Sequence, residues 1–167
     1  MRYFTGGAFL VFLALAQASS IEQFKILGVS PNLVLVLLAA WLVTRGLEDV
    51  LPMILVAGTT LGLVGLQTPG LVLLALLPLA ALGVVKELHI IHSDALLVLL
   101  IVAAATLLYE ATMVLSVMLT GGGLDSRAAI SDVIVPAMLV NLAITPAVYA
   151  VMRMWKPADT RRRLSYL

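Results

Sequence analysis

Residues 30–70 read SPNLVLVLLAAWLVTRGLEDVLPMILVAGTTLGLVGLQTPG. An apolar run rises from Pro31 and Asn32 and stops at Arg45, Glu48 and Asp49. A second apolar run then returns to the uncharged turn Gln67-Thr68-Pro69-Gly70. Neither run carries enough polar residues to mark a helical or a strand period. A segment that is apolar on every side needs an apolar solvent rather than one apolar neighbour. The stretch therefore predicts two membrane helices joined by a short turn, with the charged knot at the water boundary. Once this hairpin is placed in a bilayer, the runs on either side of it follow.

The whole chain agrees. Of its 167 residues 62% are hydrophobic and 11% charged, and the mean hydropathy is +1.14. A soluble domain carries about 25% charged residues, so this chain has too little polar surface to cover a core in water. Segments of alternating polarity, the mark of a membrane β-barrel, are missing. The expected class is an all-α integral membrane protein, one polytopic domain over residues 1–167. A net charge of +1 gives no sign of a nucleic-acid partner, and none is assigned; without cysteine neither disulfides nor thiolate metal sites arise.

Apolar runs predict about six helices, near 3–21, 26–44, 50–66, 71–85, 95–119 and 133–152. The first run has two readings. It is long enough to span, yet the small residues Ala14, Ala16 and Ala18 also suit a signal-peptide cleavage site. In the second, Pro31 falls within the first turns, where a missing N–H does little harm, and Asn32 is placed to cap the helix. Only about a dozen apolar residues separate Pro31 from Arg45, a thin span. Trp41 lies near its end, where an indole favours the headgroup level. The third run carries Gly58 and Gly62 four apart, a spacing that lets two helices approach closely. That approach occurs either within this chain or against a partner. His89 and His92 stand three apart in the polar loop after the fourth run. Such a loop is expected to be polar without a metal, and no metal or cofactor site is assigned.

The fifth run holds Glu110, the one acidic residue deep in apolar sequence, with Thr106, Tyr109, Thr112 and Ser116 on the same broad side. That side must face protein or water, because a carboxylate facing lipid costs several kcal/mol. The glycines Gly121 to Gly123, then Asp125, Arg127 and Asp132, read as the next loop. Asn141 follows in the sixth run. Counted from the expected helix ends, Glu110 and Asn141 both lie roughly 12–14 Å deep, so Glu110, protonated because burial disfavours the charge, is expected to hydrogen-bond Asn141 or a nearby hydroxyl; the alternative is that it meets a different helix or a water-filled cavity.

An even number of spans places both termini on one side. Arg2, Arg45, Lys86 and the tail residues Arg153, Lys156, Arg161, Arg162 and Arg163 then fall together, eight of the 10 Lys and Arg. The positive-inside rule puts them in the cytoplasm. The sequence contains no Ser-His-Asp pattern, no phosphate-cradling glycine loop and no paired carboxylates within one helix. No catalytic residue is assigned.

Ser30-Pro31-Asn32-Leu33 followed by an aliphatic run, Trp41 and a basic turn resembles the rod shape-determining MreD family. The small-residue third helix ending at Thr68-Pro69-Gly70 is similar too, as is a last helix with Asn141, Pro146 and Met152-Arg153. The resemblance covers most of the chain through short motifs. It implies a non-enzymatic subunit of the cell-elongation machinery in the bacterial inner membrane. Such a subunit would bind the bitopic protein MreC and help link MreB filaments to the peptidoglycan polymerase and transpeptidase. The six-helix arrangement also resembles the substrate-binding component of energy-coupling-factor transporters, so uptake of a vitamin-like small molecule is the alternative. The short loops and few aromatic residues favour the scaffold over a capture site. Candidate structural or interface residues are Pro31, Asn32, Gly58, Gly62, Glu110 and Asn141.

Overall fold

A computed structural model describes residues 2–19, 25–26, 28–65, 67–87, 91, 93–121 and 126–154. His89, His92, Gly122, Gly123, Asp125 and the basic tail beyond Met154 lie outside them. The elements are α1 (Arg2–Ser19), α2 (Leu33–Arg45), α3 (Leu47–Val64), α4 (Pro69–Glu87), α5 (Asp94–Leu119), α6 (Ser126–Ala129), a π-helical turn (Ile130–Ile134) and α7 (Val135–Met154). Three helical segments are long and apolar enough to cross a membrane: Leu47–Val64, Asp94–Leu119 and Arg127–Met154. At 1.5 Å per residue they measure about 27, 39 and 42 Å against a hydrocarbon core of about 30 Å.

The thin second run is the centre of the bundle. Helix α2 packs against α1, α3, α4, α5 and α7, and those five neighbour one another in the order α1, α3, α4, α5, α7. Every residue from Val34 to Val43 is buried. The all-round apolar surface of this stretch is therefore met by helices, not by lipid. Leu35, Leu38 and Leu42 lie in one core with Leu10 and Ala14 of α1, Met53 and Ala57 of α3, Leu76 and Leu79 of α4 and Val98 and Val102 of α5. Trp41 shares that interior. Its ring lies against Gly6 of α1, where a Cβ would overlap it, and only 6% of it is exposed. An indole that can fill a glycine-lined slot in the bundle has no need of the headgroup level.

Three helix starts differ from the reading of the sequence: α3 begins at Leu47 rather than near Val50, so Glu48 and Asp49 form its first turn instead of the connecting turn. Helix α2 begins at Leu33 rather than near Ile26. Ile26 and Val29 instead close a turn through two backbone hydrogen bonds of 2.9 and 3.1 Å, and Gly28 takes φ 82°. Proline disfavours the helical region for the residue before it, so Pro31 holds Ser30 out of the helix. At 13 residues α2 is about 20 Å long. At the other end of the chain, Arg127 and Asp132 are helical, not in a loop. The last helical segment starts at Ser126 and passes through the π turn, where Val135 N–H bonds Ile130 O, before settling into α7. Polar side chains at a helix end look like a loop in sequence because nothing there needs to be apolar.

Helices α2 and α3 meet at a single residue, Gly46, with φ 101°. A left-handed conformation of this kind is where glycine is favoured. Lys86 of α4 donates to Leu42 O at 3.2 Å, and Gly46 N–H donates to the same carbonyl at 2.9 Å. The Arg45 guanidinium lies 5.1 Å from the centre of the Trp41 ring. A helix C-terminus carries partial negative charge, so these two cations suit the Arg45 end of α2.

Gly58 and Gly62 serve the contact between α3 and α4. A Cβ on Gly58 would stand 2.9 Å from Leu73 Cγ, and one on Gly62 would stand 2.9 Å from Pro69 N and closer still to Pro69 Cα. Of the two roles the spacing allowed, the structure uses the one within the chain.

Candidate functional site: a polar knot at the buried start of α2

A helix leaves its first N–H groups without intrahelical acceptors. Water normally supplies them, but Pro31 and Asn32 are buried, so neighbouring side chains must. Asn32 is the N-cap, and its Oδ1 accepts from Leu35 N at 3.1 Å. Gln17, near the end of α1, accepts from Val34 N with Oε1 at 3.0 Å and donates from Nε2 to Asn32 Oδ1 at 3.3 Å. Asn141 of α7 accepts from Asn32 N with Oδ1 at 2.8 Å.

The knot extends across α5. Asn141 Nδ2 donates to Thr106 Oγ1 at 3.1 Å. The Tyr109 phenol, one turn further along α5, lies beside the Asn32 side chain. Thr145 donates to Asn141 O at 2.6 Å. Asn32, Thr106, Asn141 and Thr145 are all buried. Four helices are thus tied at one point by amides that bond each other, the Thr106 hydroxyl and the α2 backbone. Buried polar groups need such partners, since an orphan donor costs about 1–3 kcal/mol.

Glu110 stands outside the knot. The bond expected between it and Asn141 is not made; the Asn141 side chain bonds Asn32 and Thr106 instead. The reason is depth. The last helical segment begins seven residues earlier than the apolar run suggests, so Asn141 sits about 10 Å deeper. It meets Thr106, four residues below Glu110 along α5. The Glu110 carboxyl is half-buried beside Tyr109.

Pro31, Asn32 and Asn141 therefore come together, whereas Gly58, Gly62 and Glu110 lie elsewhere. Gln17 was missed as a member. The signal was a lone amide in an apolar helix, since a polar side chain inside a membrane segment normally has a partner. Among the described residues no group of three His, Asp or Glu side chains is placed to hold a metal. In comparisons with protein-family models, curated proteins and solved structures, nothing matches this chain.

Proposed function

We propose that this chain is a non-enzymatic, multi-pass subunit of the bacterial cell-elongation machinery. It lies in the inner membrane with both termini in the cytoplasm and the Asn32 end of α2 toward the outer face. It binds an MreC-like bitopic partner and, through it, joins MreB filaments to the peptidoglycan polymerase and transpeptidase. The observation that supports this reading is the bond of 2.8 Å from Asn32 N to Asn141 Oδ1. The two short motifs that carry the resemblance are 109 positions apart and meet in one buried contact. Such a contact between the two motifs is what the resemblance would require if both belong to one architecture.

The basic asymmetry supports the orientation and, with it, an even number of crossings; α2 is shorter than a full span, and side chains of α1 and α7 satisfy its buried Asn32 end. The partner's place is not the α3 glycine face, which α4 occupies. The test has two parts. Removing the chain from its host should turn rods into spheres, and the tagged chain should co-purify with a single-span coiled-coil protein. Cells that stay rod-shaped would refute the reading. Purified protein that retains a vitamin-like ligand through size exclusion would replace it with small-molecule uptake.

A further inference from the structure

Helix α5 changes character along its length. In the half that packs beside α2, Leu97, Val98, Ile101, Val102, Ala105 and Thr106 are buried. From Leu107 to Leu119 no residue is buried. That outer half is nevertheless the one holding Glu110, the single charge between Ala95 and Leu119. Its hydroxyl neighbours are self-sufficient. Thr112 Oγ1 donates to Leu108 O at 2.8 Å and Ser116 Oγ to Met113 O at 2.7 Å. Once ionised, the Glu110 carboxyl has no such option, because a carboxylate accepts only and the N–H groups of a helix interior are already used. Among the described residues no hydrogen bond or ion pair reaches the Glu110 carboxyl.

Glu110 also sits on a stripe. Ala103, Leu107, Glu110, Val114 and Val117 follow one another by four, three, four and three residues, the spacing of a helix-docking seam. Leu107 and Val117, on either side of Glu110, are exposed. The seam is apolar apart from one acidic group that lacks a donor. The complement is an apolar helix with one basic residue at the same depth.

We infer that the outer half of α5, along Leu107, Glu110, Val114 and Val117, docks the single membrane helix of the bitopic partner, and that a lysine or arginine in that helix pairs with Glu110. The inference rests on the reading of the chain as a partner-binding subunit and names the surface it uses. Charge pairing selects the partner's register. The apolar residues supply contact area, since lipid offers no hydrophobic drive for association.

The test places a photo-crosslinking amino acid in the full chain, in its native host, at Leu107 or Val117, with Leu55 and Leu63 of α3 as exposed controls. Adducts are expected at Leu107 and Val117. Mass spectrometry should identify a single-span protein with a lysine or arginine in the outer half of its helix. Glu110→Leu should lower the adduct yield about threefold while the chain accumulates in the membrane as before. Glu110→Gln, which keeps the side chain's shape, should lower it as well. Glu110→Lys combined with glutamate at the partner's basic position should restore it. Adducts at Leu55 or Leu63 alone, adducts only with lipid or with a second copy of this chain, or a yield indifferent to Glu110→Leu would each overturn the inference. If the partner still co-purifies in those cases, the proposed function stands and only the surface is wrong. If no single-span protein co-purifies at all, both fall.

Discussion

Replacing Asn141 by alanine tests whether the polar knot holds the bundle together. Asn141 is 1% exposed, so no water waits to replace its side chain. Asn141→Ala strips the acceptor from Asn32 N, now at 2.8 Å, and a buried N–H without an acceptor costs about 1–3 kcal/mol. It also removes the bond to Thr106 Oγ1. Interhelical hydrogen bonds in membranes average about 0.6 kcal/mol, with a maximum near 1.7. Together they predict a destabilisation of about 2–3 kcal/mol. Thr106→Val removes only the second bond at nearly constant volume, so about 0.6 kcal/mol is expected. The two substitutions share that bond, and the double variant should cost less than their sum by a similar amount. Equilibrium unfolding in bicelles measures all three. If Asn141→Ala lies within about 0.5 kcal/mol of the parent, or Thr106→Val matches it, the orphaned N–H does not set the cost and the knot does not hold the bundle.

Gly62→Ala brings a Cβ to 2.9 Å from Pro69 N; overpacking of this kind costs about 1–3 kcal/mol, so the folded fraction should fall even without any partner present. Gln17→Leu leaves Val34 N without its acceptor, and about 1–3 kcal/mol should be lost in the same unfolding assay; no measurable change would mean that α1 does not cap α2. Because the chain has no cysteine, single cysteines report topology cleanly: Gln67→Cys and Thr120→Cys should react with an impermeant reagent in intact cells, whereas Glu48→Cys should react only after lysis.

The class of the protein was legible because a bilayer acts on each segment separately. A run such as Leu33 to Thr44 is helical and apolar whatever its neighbours are, since backbone groups in an apolar medium must pair within the segment. Local chemistry was legible for the same reason. Pro31 and Asn32 mark a helix start, and Asn32 is the N-cap of α2. Glu110 stood out as a group that needs a partner. Helix starts read less well. Ile26 is apolar but lies in a turn, and Asp132 is charged but lies in a helical segment. Polarity reports solvent, and backbone conformation at a water boundary does not depend on it.

What the sequence determined alone is the count of apolar runs, the places where they break and the few polar groups inside them. Tertiary structure decided which side of each helix meets protein and which meets lipid. Lipid tails are as apolar as leucine, so composition cannot tell α2, enclosed by five helices, from a helix at the edge. It also decided partners. Asn141 faces Asn32 and Thr106 instead of Glu110 because depth is set by where the last helical segment begins. Gly62 faces Pro69 because α4 folds back onto α3. Each of these contacts joins residues whose separation in space depends on the packing of the whole bundle, which no local run of sequence encodes.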